Sequence, residues 1–321
     1  MLLNLFRRWR RVPLFAALAF GVFASTAAQA ETVRIGYQKY GTLVILKARG
    51  ALEQRLAPFG IEVRWTEFAA GPQMLEALNV GSLDFGTVGE APPVFAQAAG
   101  ADLLYVAHEP PAPASEAILV AKDSPLHSVK ELRGKRVALN KGSNVHYLLL
   151  RALEEAGLTL RDIEPVYLPP ADARAAFERG AVDAWVIWDP FFAAAQGQIQ
   201  ARVLRDGQGL VSNHQFYLAA RPYAERQPQV VRAIVEELAK IDAWGAANPH
   251  AVAAFLAPAI GLDVATTEIA ARRYSYGVDY LTPAVAAEQQ KIADAFVALK
   301  LIPKPIRIAD VLWQAPAAAA R

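Results

Sequence analysis

Apolar and polar positions along the chain switch between a period of two and a period near 3.6. Residues 32–38 set Val33, Ile35 and Tyr37 against Thr32, Arg34 and Gly36, the alternation of a half-buried strand. Residues 43–56 then read as a helix ended by Pro58 and Gly60, after which Ile61, Val63 and Trp65 alternate again. Gly71-Pro72 opens a helix over 73–80, with proline in a first-turn position where its missing N–H costs nothing. Residues 83–88 form a third strand, 90–99 a helix after Gly89, and 103–109 a fourth strand. This rhythm predicts a mainly parallel sheet covered by helices on both faces.

Pro110, Pro111 and Pro113 break the rhythm with a semi-rigid, extended stretch that suits a passage between lobes. A second α/β unit follows, with strands at 117–121, 136–140, 165–168 and 184–188. The last is a continuous apolar run, as a central buried strand requires. The helix over 144–156 carries Val145, Leu148, Leu149, Ala152, Leu153 and Ala156 on one stripe and stops at Gly157. Residues 216–220 are extended before Pro222 and read as a return crossing, and 224–300 is almost all helical pattern. The expectation is an α/β fold of two lobes, each a mainly parallel sheet flanked by helices, joined by two crossing segments. A ligand in such a fold sits beyond the C-terminal ends of the strands, at helix N-termini.

Composition supports two lobes: 321 residues, 54% hydrophobic and 20% charged, exceed what one compact unit usually holds. The first 30 residues read as a signal peptide. Arg7, Arg8, Arg10 and Arg11 make a basic start, 12–24 is nearly free of polar groups, and Ala28-Gln29-Ala30 supplies a cleavage site. The mature chain then begins at Glu31 in the periplasm. Four arginines leave with the leader, so 33 basic and 31 acidic residues become 29 and 31. Nothing in that balance suggests nucleic acid or anionic lipid as a partner. The mature chain keeps no Cys and a single methionine, Met74. Drift towards Ala, Arg and Pro accounts for this, and so does selection against sulfur in a protein made when sulfur is scarce.

Four loops at strand ends could carry chemistry: Tyr37-Gln38-Lys39, the run from Gly86 to Glu90, the run from Lys141 to Asn144, and Trp188-Asp189-Pro190. Gly71-Pro72-Gln73 is a fifth candidate. Three of them start helices, where free N–H groups and the positive end of the helix dipole would hold an oxyanion without a full counter-charge. Plain helix capping is the better account of any one of them, and it is the convergence of several on one cleft that points to a site. Trp188, Tyr37 and Tyr217 are candidates for an apolar wall, and Trp185 for the core. Asp189 and Glu90 are odd company for an anion; either they cap helices or they receive a polar group on the ligand's far end. Lys39 and Lys141 are attractors or solvated surface lysines. Enzyme signatures are missing: no Cys nucleophile, no Gly-x-Ser-x-Gly, no Walker loop and no Gly-x-Gly-x-x-Gly. The five histidines show no metal-ligand spacing, and only His146, beside Ser143 at a helix start, belongs near a cleft. No metal or cofactor is expected.

The strings RIGYQK (34–39), GPQMLEALNVG (71–81), PADARAAF (170–177), VDAWVIWDP (182–190) and FYLAARPYAE (216–225) resemble the aliphatic sulfonate-binding proteins of ABC importers. The resemblance runs from about Thr32 to Trp313. It implies a type II periplasmic-binding fold, shared with taurine and nitrate receptors, with lobes of 31–112 plus 221–321 and 113–220. It also implies a monomer that hands an aliphatic sulfonate to an inner-membrane permease. Carried over position by position, it points to Gln38, Thr87, Gly89, Glu90, Gly142, Ser143, Asn144, His146, Trp188 and Asp189 as lining the cleft. Where relatives often read Ser-Thr-Gly-Asp this chain has Thr87-Val88-Gly89-Glu90, and 142–146 varies a serine-rich loop. Both departures bear on ligand size. The fold also hosts desulfinases, whose cysteine nucleophile this chain lacks.

Overall fold

A computed structural model describes residues 31–315. The expected signal peptide lies outside them. The first part alternates β1 (Glu31–Tyr37), α1 (Thr42–Arg49), α2 (Ala51–Leu56), β2 (Ile61–Glu67), α3 (Gly71–Asn79), β3 (Phe85–Gly89), α4 (Pro92–Ala98) and β4 (Leu103–His108). The second comprises β5 (Glu116–Val120), β6 (Arg136–Leu139), α5 (Asn144–Glu155), β7 (Glu164–Tyr167), α6 (Pro170–Glu178), β8 (Ala184–Trp188), α7 (Phe191–Ile199) and β9 (Arg202–Asp206). The chain then returns through β10 (Gln215–Ala220) to α8 (Arg221–Arg226), α9 (Pro228–Ala247), α10 (Pro249–Ile260), α11 (Val264–Arg273), β11 (Asp279–Tyr280) and α12 (Pro283–Ala298).

These strands build two sheets, ordered β11-β4-β10-β3-β1-β2 and β7-β6-β8-β5-β9. Both are mixed. In the first, β1 is parallel to β2 and β3, while β10 runs antiparallel between β3 and β4. In the second, β6 is parallel to β7 and β8, while β5 runs antiparallel between β8 and β9. Apart from the two-residue edge strand β11, which is antiparallel to β4, the reversed strand in each sheet is the one that has just crossed from the other. The rest of each sheet keeps the common direction that helical crossovers impose.

Three sequence expectations shift. The helix over 43–56 is two helices, because Gly50 takes a left-handed φ of 62° and donates its N–H to the Lys47 carbonyl to close α1. The helix after Gly89 starts at Pro92, not Glu90. The segment 216–220 is no crossing: it is hydrogen bonded inside the first sheet, and the chain passes back between the sheets in 207–214. Strands β9 and β11 had no sequence expectation. The first is an edge strand with charged ends, and the second is two residues long.

The two passages, 109–115 and 207–214, are tied to each other. Ala112 donates its N–H to the Ser212 carbonyl at 3.1 Å, and Gly207 donates to Pro113 at the same distance. Trp185 is fully buried in the core of the second sheet with Phe177 and Phe192. Met74, also fully buried, lies over two strand glycines. A Cβ at Gly86 would come 2.6 Å from its sulfur, and one at Gly36 would come 3.0 Å from its Cγ. That close approach seats α3 on the first sheet. Among the described residues no single helix is long and apolar enough to cross a membrane.

Candidate ligand-binding site

The loops after β1 and β2, with Thr87 of β3, meet the loops after β7 and β8 around one cavity of about 450 Å³. Gln38, Tyr40, Phe68, Thr87 and Gln215 line it from the first sheet's side. Pro169, Arg174, Trp188, Asp189 and Phe191 line it from the second, and Ile260 to Leu262, the turn between α10 and α11, adds a third wall. A smaller pocket of about 20 Å³ adjoins it and shares Gln38, Trp188 and Gln215. Gly71, Gly89, Pro92, Ser143 and Asn144 complete the smaller one, which therefore sits at the starts of α3, α4 and α5. The large cavity has the size of a small-molecule site. The small pocket has room for about one polar head or a water.

Helix starts differ in what they offer. Pro92 and Pro93 open α4, so its first two positions have no N–H. The first turn of α5 has no side-chain cap: the Ser143 hydroxyl donates instead to the Asn140 carbonyl at 2.7 Å. The His146 N–H turns back to the Ser143 carbonyl at 3.0 Å, which leaves the N–H groups of Asn144 and Val145 for an occupant. Two side chains add polar capacity. Gln38 donates to the Thr87 carbonyl at 3.3 Å, and Gln215 Oε1 is buried with no partner among the described residues. The Tyr40 hydroxyl, on the large cavity's wall, is likewise buried and unpartnered.

Seven of the ten expected residues border one or both cavities: Gln38, Thr87, Gly89, Ser143, Asn144, Trp188 and Asp189. Gly89 is tight against its neighbour, since a Cβ there would come 2.7 Å from Asn144 Oδ1. The Asn144 amide is not free for a ligand. It donates to Glu116 Oε2 at 2.8 Å and to Asn213 Oδ1 at 2.7 Å, which ties α5 to the segments that join the sheets.

Glu90, Gly142 and His146 border neither cavity. The Glu90 carboxylate is fully buried and accepts the His214 N–H at 3.2 Å; burial pushes its pKa up to about 8. Gly142 turns with φ 78° and donates to His146 Nδ1 at 3.3 Å. The His146 ring is buried between Phe95 and Tyr167. Burial, with Lys141 nearby, lowers its pKa to about 4, so it is a neutral part of the turn. The expected aromatic wall also changes. Tyr217 is in the core with its hydroxyl on Glu109, Tyr37 points to Glu67, and the wall is made by Tyr40, Phe68, Trp188 and Phe191. Lys39 lies on the rim 3.8 Å from Glu67, and Lys141 lies over the Tyr167 ring. Gln215, Tyr40 and the α10–α11 turn escaped sequence reasoning. Gln215 opens the returning strand, which looked like a connection, and the turn lies far along a helical stretch.

A shared cavity beyond the strand ends of two mixed, helix-flanked sheets defines a solute-binding protein of the periplasmic type. The NMT1/THI5 like family model matches residues 57–252. The structure of the alkanesulfonate-binding protein SsuA from Xanthomonas axonopodis pv. citri bound to MOPS is similar, with 45% identity and a TM-score of 0.85 over 89% of this chain and 99% of that one. The periplasmic aliphatic sulphonate binding protein SsuA from Escherichia coli is 46% identical, with a TM-score of 0.81 over 91% and 95% of the two chains. The taurine-binding periplasmic protein of Escherichia coli (strain K12) is 29% identical over 241 residues, 74% of this chain and 73% of that one. The chain belongs to the family of aliphatic sulfonate-binding proteins.

Proposed function

We propose that this chain is an exported receptor, secreted through a cleavable leader, that captures an aliphatic sulfonate in the periplasm. It delivers the ligand as a monomer to the permease of an ABC importer in the inner membrane. The observation that carries this reading is the pairing of a small polar pocket at helix starts with a larger aromatic cavity. The sulfonate head takes the N–H groups of Asn144 and Val145 at the start of α5, with the side-chain amide N–H groups of Gln38 and Gln215. The carbon chain lies along Trp188, Tyr40, Phe68 and Phe191. The two sheets are the cores of two lobes that close on the ligand, with 109–115 and 207–214 as the hinge. Relatives named for sulfonate binding support the ligand class. A receptor rather than an enzyme is supported by the same relatives and by a chain without cysteine.

Calorimetry in buffers free of sulfonates tests the class. Sulfonates stay ionised where carboxylates protonate near pH 4 to 5, and a planar two-oxygen head leaves donors of a three-oxygen pocket unpaired. At pH 7, 1-butanesulfonate is expected to bind at least about tenfold more tightly than pentanoate, since a hydrogen bond to a charged group is worth about 1.5–3 kcal/mol. Equal affinities would return the protein to the general pool of organic-anion receptors. A saturating sulfonate, at a hundred times its dissociation constant, should add about 2.7 kcal/mol of stability.

A further inference from the structure

Asp189 is a carboxylate in the wall of a pocket read as a site for an anion. Its side chain is 1% exposed, and it borders the large cavity one residue from Trp188. Like charges this close would oppose binding. The carboxylate has a partner that does not border the cavity. Arg273, the last residue of α11, places Nη1 3.4 Å from both Asp189 oxygens. Its guanidinium lies 4.0 Å over the Phe192 ring, and its other arm donates to Gln196. All three contacts belong to the end of β8 or to α7, so one arginine from the returning half of the chain is seated on the other half.

The other charged groups around the cavity are already engaged. Arg174, from α6, donates to Glu178 at 2.7 Å and to Gln198, and Lys39 faces Glu67 on the rim. The Tyr40 phenol faces Asp189 from the β1–α1 loop, and burial keeps it un-ionised. The Ala193 N–H donates to Asp189 Oδ1 at 2.9 Å. Among the described residues, Arg273 is the one cation within ion-pair distance of Asp189.

We propose that Arg273 is a positioning residue of this pocket: it holds Asp189 as half of an ion pair, so the wall that faces the ligand carries no net charge and an anion can enter. The proposal rests on reading the pocket as a sulfonate site. Its consequence is specific. Burial pushes Asp189 up to about 6 even with Arg273 beside it. Without the arginine the carboxyl titrates higher still, and an anion can bind well only to its protonated form.

The test is calorimetry with 1-butanesulfonate in phosphate and Tris buffers from pH 5.5 to 8.5. Wild-type affinity is expected to vary little above pH 7. Arg273→Met should bind within about threefold of wild type at pH 5.5 and at least about tenfold more weakly at pH 8.5. Adding Asp189→Asn should restore affinity and flatten the profile, and Arg273→Lys should fall between. A loss that is equal at every pH, or is not rescued by Asp189→Asn, would make Arg273 a purely structural residue and overturn the proposal; so would no loss. Failure of wild type to bind 1-butanesulfonate at all would instead defeat the sulfonate reading. In that event the pairing is read in the free protein, where the Asp189 carboxyl resonance must titrate at higher pH in Arg273→Met. An unmoved titration there overturns it.

Discussion

Trp188 is the residue on which both cavities depend. It ends the apolar strand β8, so its backbone is fixed by the sheet while its ring is half-buried at the junction of the small pocket and the large one. A contact with a carbon chain scales with buried apolar area, at about 25 cal/mol per Å². Trp188→Ala should therefore weaken hexanesulfonate more than methanesulfonate, with the gap widening at each methylene in a calorimetric series. Equal losses along the series would assign the ring to the headgroup or the fold. His146 shows the opposite case. It stands at a helix start next to Ser143, where a ligand contact was expected, yet Phe95 and Tyr167 bury it and hold it neutral between pH 6 and 8.

At the scale of elements, α5 carries two roles on different turns. Its apolar stripe packs Val145, Leu148, Leu149, Ala152 and Leu153 into the core, and periodicity alone marks that face. Its first residue does something the stripe does not encode. Asn144 supplies hydrogen bonds to the buried Glu116 at the start of β5 and to Asn213, whose own amide donates to the Ala112 carbonyl and the Ser115 hydroxyl, both at 2.9 Å. Asn144→Ala leaves Glu116 and Asn213 without that donor. Leaving buried groups unsatisfied costs about 1–3 kcal/mol, so the denaturant midpoint should fall clearly, with sulfonate affinity falling as well. An unchanged midpoint would show that α5 is not fastened to the crossing segments through this amide.

The whole molecule concentrates buried carboxyls where the two sheets are joined. Glu90, Glu109 and Glu116 are all fully or almost fully buried, and burial raises each pKa, that of Glu90 to about 8. The sign follows from linkage. A carboxyl raised in the folded state holds its proton there longer than in the unfolded chain, so its stabilising contribution is complete below about pH 4.5 and is lost as pH rises through about 8. The thermal midpoint should therefore be higher at pH 5.5 than at pH 8.5. Glu90→Gln, which keeps the shape and removes the titration, should narrow that difference. Identical pH profiles for the two proteins would place the dependence elsewhere.

Sequence alone determined the alternation of strands and helices, the proline-marked passage after β4, the buried run of β8 and, by resemblance, the family. Each of these is written in local periodicity or in short strings of residues, and neither needs distant partners to be recognised. It also pointed to the loops at strand ends, where seven of the ten candidate residues border a cavity, because a strand's C-terminal end is a local property. Tertiary structure decided the rest. The reversal of β5 and β10 depends on which sheet the chain enters after a crossing, and no window of sequence contains both sheets. Gln215 became a pocket residue through pairing with Gly89, 126 positions earlier in the numbering. Glu90 and His146 left the site because residues far along the chain cover them. Arg273 reaches Asp189 across 84 residues, and that pairing exists only once α11 is packed on α7.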